Sequence, residues 1–110
     1  MPFNIEATPE FLSEAKKLSK KYPSLKKDLF ALSEQLLLNP KLGSPLGKDV
    51  FKVRLAISSK GKGKSGGARV ITCVKVIDAI IYLISIYDKS VQPDISDKEI
   101  KERLKNLHDL

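Results

Sequence analysis

The stretch SSKGKGKSGGARVI, residues 58–71, decides how this chain is read. Its Gly63-Lys64-Ser65 has the look of a phosphate-cradling loop, which would join a strand to a helix. Such a loop needs a glycine five positions earlier, and Ser58 stands there. After Gly66-Gly67 comes Ala68-Arg69-Val70-Ile71-Thr72-Cys73-Val74, a β-branched run that predicts a strand and not the start of a helix. The stretch therefore reads as a glycine-loosened, lysine-decorated loop between two strands of a hairpin.

On either side of that loop the hydrophobic period is two. Phe51, Val53, Leu55 and Ile57 point one way and Lys52, Arg54, Ala56 and Ser58 the other. After the loop, Val70, Thr72, Val74 and Val76 form the apolar set, leaving Arg69, Ile71, Cys73 and Lys75 opposite. If Ser58 faces Gly67, Arg54 lies beside Arg69 on one face of the sheet. Residues 79–87 are apolar on both faces, as in a central strand. A three-residue turn at Ile77-Asp78-Ala79 would set Tyr87 opposite Arg69, whereas a two-residue turn would set Ile86 there. The sequence leaves both open.

Upstream, Phe3 and Ile5 alternate with polar residues in a short strand. Thr8-Pro9-Glu10 then signals a helix start, and Phe11, Ala15, Leu18 and Tyr22 repeat at helical spacing. Leu25, Leu29, Leu32 and Leu36 mark a second helix that stops at Asn39-Pro40. Residues 41–49 read as a Gly- and Pro-rich loop. Ser96-Asp97-Lys98-Glu99 is a capping box before a last helix carrying Ile100, Leu104 and Leu107. The predicted order is β-α-α-β-β-β-α: an α+β domain with a small, mainly antiparallel four-stranded sheet, a helical hairpin on one face and a short C-terminal helix.

With 110 residues and 42% hydrophobic content, the chain suits one domain, residues 1–110. One cysteine, Cys73, permits no internal disulfide and fits a reducing compartment. The first residues have neither a basic leader nor an apolar core, and the longest apolar stretch, residues 79–86, is too short for a membrane span. A cytoplasmic protein without a membrane partner is expected. Net charge is +7, and residues 48–75 carry eight positive side chains against Asp49 alone; the remainder has twelve of each sign. All of the excess sits on two strands and their loop, which suits a polyanion.

His108 is the only histidine and stands near the chain end, with no Cys/His cluster and no Ser/His pair, so metal sites and acyl transfer have no support and no cofactor is expected. What remains is Lys52, Arg54, Arg69, Tyr87 and Lys89, gathered toward one basic face. Cleaving RNA without a metal requires a base for the 2′-hydroxyl, cations for the phosphorane and an acid for the departing 5′-oxygen. Paired guanidiniums supply the second need. A tyrosine or lysine meets the others if neighbouring cations lower its pKa toward neutrality.

Lys52-Val53-Arg54, the loop closing in Gly66-Gly67-Ala68-Arg69-Val70-Ile71, Ile81-Tyr82-Leu83 leading to Tyr87-Asp88-Lys89, and Ile95-Ser96 together resemble toxins of the RelE/ParE superfamily, most closely the HigB-like branch. The resemblance spans nearly the whole chain. It implies the toxin of a type II toxin–antitoxin system, a ribosome-dependent mRNA endonuclease acting in the A site without a metal. It further implies Arg69 as the transition-state arginine, Arg54 and Lys52 holding RNA, and Tyr87 with Lys89 at the acid/base end of the last strand. The loop residues Lys60, Lys62 and Lys64 are expected to bind RNA. Implied partners are a cognate antitoxin, the ribosome and mRNA, with operator DNA reached only through the antitoxin. Some relatives use histidines that this chain lacks, which leaves the general base open. Two further readings share the scaffold: a ParE-like gyrase inhibitor without enzymatic activity, and a plain RNA-binding module. The second is disfavoured by an aromatic content of 6%.

Overall fold

The computed structural model of the protein describes residues 2–61, 63–64 and 66–107. Strand β1 (Asn4–Ala7) leads into helices α1 (Pro9–Lys21) and α2 (Leu25–Leu38). Next come strands β2 (Ser44–Gly47) and β3 (Val50–Leu55), then a 3-10 turn at Ser58–Lys60, strands β4 (Ala68–Lys75) and β5 (Ile80–Asp88), and helix α3 (Asp97–Asn106). The five strands lie in the order β1-β5-β4-β3-β2, antiparallel except for the β1–β5 edge pair. The sheet thus has one strand more than expected. Residues 44–47, placed in a loop by the sequence, fold back against β3 as an edge strand. All four of its residues are exposed and its proline sits at the sheet edge, so neither alternation nor β-propensity marked it.

Apolar periodicity decides the layers. Phe11, Leu25, Leu32 and Leu36 of the helical hairpin pack on Val53, Leu55, Val70, Ile81, Leu83 and Ile86. Ile100 and Leu107 pack with Val50, Ile71, Cys73 and Ile84 in a second core. Lys52 and Arg54 share the face of Val50, so α3 shields one end of the basic face and leaves the other open. The helix start signals make their caps: the Thr8 hydroxyl accepts from the Phe11 N–H at 3.2 Å and the Ser96 hydroxyl from the Glu99 N–H at 3.1 Å. Among the described residues, no helix is long and apolar enough to cross a membrane.

Beyond Ala7, the β1 edge of β5 has no strand beside it, and side chains take over the ladder there. The Thr8 hydroxyl donates to the Leu83 carbonyl at 3.1 Å, the Ile86 N–H donates to Glu14 Oε1 at 3.3 Å, and Arg103 donates to the Ile84 carbonyl at 3.1 Å. Arg103 also grips Glu14 with two bonds of 2.8 and 2.9 Å, joining α3 to α1 across this edge. The hydrogen bonds it donates to Glu14 raise the Arg103 guanidinium above its ordinary range. Replacing Arg103 with Met takes the paired cation from Glu14 and the Arg103 hydrogen bond from the Ile84 carbonyl of β5. The expected loss is on the order of 2–3 kcal/mol, read as a lower urea midpoint with unchanged slope. Arg103→Lys, unable to fork, should recover only part of it.

Candidate active site

The β3–β4 ladder puts Arg54 directly opposite Arg69 and ends with Leu55 opposite Ala68. The anticipated Ser58–Gly67 pairing is not made: the register is shifted by two residues, so that the ladder runs toward Ala56 opposite Gly67, and Ser58 opens the 3-10 turn. Gly67 lets the hairpin close there: a Cβ on it would overlap the Leu55 carbonyl oxygen. On the other side of β4, Tyr87 of β5 faces Arg69. The alignment open in the sequence is settled by a bulge. Near the turn, Lys75 pairs with Ile80 and Thr72 with Leu83, a register that would bring Ile86 to Arg69. One residue, Ile84, is then passed over, so that Ile71 pairs with Ser85 and Arg69 with Tyr87.

These strands form one wall of a cleft of about 260 Å³ lined by Lys52, Arg54, Arg69, Tyr87, Lys89 and Asp94, together with Ser44 and Pro93. All five residues gathered from the sequence therefore converge. Arg69 and Tyr87 are each 4% exposed, whereas Arg54 and Lys89 are open to solvent. Two carbonyls hold the Arg69 guanidinium, that of Lys64 at 3.0 Å and that of Ala68 at 3.1 Å. Among the described residues, neither Arg54 nor Arg69 is paired with a carboxylate.

Asp94 was not singled out in the sequence. It lies between the end of β5 and the capping box, in a segment without periodicity. Its Oδ1 accepts from Lys52 Nζ at 2.8 Å, from the Ile95 N–H at 2.9 Å and from the Tyr87 hydroxyl at 3.1 Å. The bond from Lys52 holds the Asp94 carboxyl below its usual range. Tyr87 moves the other way from the expected drop toward neutrality. Burial, then the Asp94 hydrogen bond and charge, push its phenol up to about 12, outweighing the opposing pull of Arg69.

The description "RelE toxin of RelE / RelB toxin-antitoxin system" belongs to a family model that matches residues 37–109. The chain belongs to the RelE toxin family. Its fold is similar to that of a free variant of toxin RelE from E. coli, with a TM-score of 0.65, 18% identity and coverage of 96% of this chain and 98% of that one. It is likewise similar to chains in the E. coli RelBE toxin–antitoxin complex (TM-score 0.61, 19% identity, 78% and 95% covered) and in the RelBE2 complex of Mycobacterium tuberculosis (0.59, 15%, 80% and 99%). The superfamily resemblance is thereby established, while the matched model is that of RelE and not of a HigB-like branch.

In this RelE-family chain the basic loop is tied down at its start. Lys60, expected to contact RNA, instead donates to Asp88 Oδ1 at 2.6 Å and to the Ser90 hydroxyl at 2.7 Å, its side chain only 9% exposed. The Tyr22 hydroxyl donates to the other Asp88 oxygen at 2.6 Å. Lys60 therefore fastens the loop to the end of β5, its ammonium engaged by Asp88 and Ser90. The Ser58 N–H and hydroxyl bind Asp28 of α2 at 2.9 and 2.6 Å, a second anchor. Lys64 is exposed and lines a groove that runs to Arg54. Lys62 and His108 lie outside the described residues.

Asp88 is buried, which disfavours its charge, yet its bonds from Lys60, Tyr22 and Ser90 hold the carboxyl far below the usual range. A folded-state pKa below the unfolded one adds stability above the unfolded carboxylate range, and that stability drains away as pH falls through and below it. Denaturant midpoints of the wild type should therefore decline steeply on acidification. The Asp88→Asn variant should start lower at neutral pH and show a flatter acid slope; equal slopes would mean the lock contributes nothing.

Proposed function

We propose that the protein is the toxin of a type II toxin–antitoxin system that cleaves messenger RNA in the ribosomal A site and is neutralised by a cognate antitoxin, through which alone it meets operator DNA. The observation that carries this reading is the cleft in which Arg54 and Arg69 face each other, without a carboxylate partner among the described residues, beside Tyr87 and Lys89. Two cations so placed repel each other until an anion bridges them, and the phosphorane of RNA cleavage carries more negative charge than the ground-state phosphodiester. The same pair therefore binds the transition state more strongly than the substrate. Arg69, buried and held by carbonyls, is the preorganised member; Arg54, exposed, reaches the strand as it enters. Lys89 and Lys64 extend the positive surface along an RNA backbone. Family membership supports a toxin, and the RelBE complexes of similar fold support an antitoxin partner.

Arg54→Ala and Arg69→Ala should each slow cleavage of ribosome-bound mRNA by roughly 10²–10³-fold and relieve growth arrest. Arg54→Ala, at an exposed position, should keep antitoxin affinity and thermal stability. Wild-type expression should stop translation while DNA supercoiling stays normal. Arrest that survives both substitutions, or lost supercoiling with translation intact, would replace this reading with gyrase inhibition.

A further inference from the structure

Tyr87 is buried, lines the cleft, and has its hydroxyl proton already committed, since an ionised carboxylate only accepts. Lys52 and the Ile95 N–H fix the same carboxylate oxygen from two other directions, so the acceptor cannot easily turn away. A phenol whose proton points at Asp94 offers its remaining lone pairs to whatever enters the cleft. We propose that Asp94 is a positioning residue that acts through Tyr87, the two forming a proton relay that activates the attacking 2′-hydroxyl of RNA. The proposal rests on the RNA-cleaving function proposed for this cleft and names the base that the sequence leaves open.

In this step the 2′-oxygen attacks phosphorus while its proton passes to the Tyr87 oxygen, and the phenolic proton passes to Asp94 Oδ1. The phosphorus–5′-oxygen bond breaks, leaving a 2′,3′-cyclic phosphate and a 5′-oxygen that takes a proton from solvent, to which Asp94 returns its own. No free phenolate forms. That matters, because a phenol pushed up to about 12 is protonated at neutral pH and is no base on its own. The charged groups around the hydroxyl are Lys52 and Arg54 on β3, Arg69 on β4, Lys89 after β5, and Asp94 itself. Arg69 lowers the phenol's pKa, and Asp94 raises it. Asp94 in turn stays ionised throughout the neutral range because Lys52 holds its carboxyl low.

The test compares wild type, Asp94→Asn, Asp94→Glu, Tyr87→Phe and the Asp94→Asn/Tyr87→Phe double variant in single-turnover cleavage of mRNA on programmed ribosomes. Asp94→Asn keeps a hydrogen-bond acceptor but cannot take the proton, so cleavage should slow by roughly 10²-fold with mRNA association little changed. Tyr87→Phe should be at least as slow, the double variant no slower than Tyr87→Phe, and Asp94→Glu partly restored. In parallel, tyrosinate absorbance of the free protein is titrated, with Tyr87→Phe identifying the Tyr87 component. That component should move to lower pH in Asp94→Asn, since the charge that favours the protonated phenol is gone. Full-rate cleavage by Asp94→Asn, additive losses in the double variant, or an unmoved titration would each overturn the relay while leaving the nuclease reading intact. A wild type that leaves mRNA uncut would overturn both.

Discussion

Opposed guanidiniums on neighbouring strands are the constraint to which the rest of the structure answers. Like charges directly across a ladder cost up to about 1 kcal/mol, and neither Arg54 nor Arg69 has a carboxylate among the described residues to offset it. What keeps them opposed is the other face of the same strands. Val53 and Leu55 on β3 and Ala68 and Val70 on β4 are buried under the helical hairpin. A slip of one residue would turn those side chains outward and bring the arginines in. The hydrophobic core thus fixes an electrostatic arrangement that the charges themselves oppose, and the cost is returned only when an anion enters.

A second constraint acts on β5. Tyr87 reaches Arg69 only because Ile84 is passed over in the β4–β5 pairing, and Ile84 is then buried in the core beneath α3. The same short segment is where the β1 ladder has ended and where Arg103 and Thr8 bind the freed carbonyls of Leu83 and Ile84. Bulge, edge and clamp coincide, so α3 holds the irregularity that aims the phenol. The helix lies away from the cleft yet bears on its geometry.

Much of this was legible in the sequence. The helical faces, both start signals, the hairpin and the shared face of Arg54 and Arg69 follow from periods of 3.6 and 2 and from capping chemistry, which are local. Three features were not. The edge strand at residues 44–47 has no buried residue to give it a period. The register of β5 depends on a bulge whose only cause is tertiary. Most instructive are the acids: Asp88 and Asp94 look like ordinary surface carboxylates in the sequence, and nothing within a few residues reveals that Lys60 and Lys52 will come to them. The expected fall in the tyrosine pKa failed for the same reason, because it weighed the neighbouring cations and not burial or the unseen carboxylate.

Those two carboxylates also change what the net charge means. Counted along the chain, residues 48–75 form one uniform basic block. In space, Lys60 is neutralised by Asp88, and Lys52 by Asp94, both from outside that block. The positive charge left facing the cleft is narrower: Arg54 and Arg69, with Lys89 beside them. A diffuse basic surface attracts any polyanion at long range, whereas a focused pair of guanidiniums next to an engaged phenol selects a single phosphate and places it. The acids therefore do more than stabilise loops. By pairing with flanking lysines, they confine the positive field of the cleft to the two arginines and Lys89 beside Tyr87.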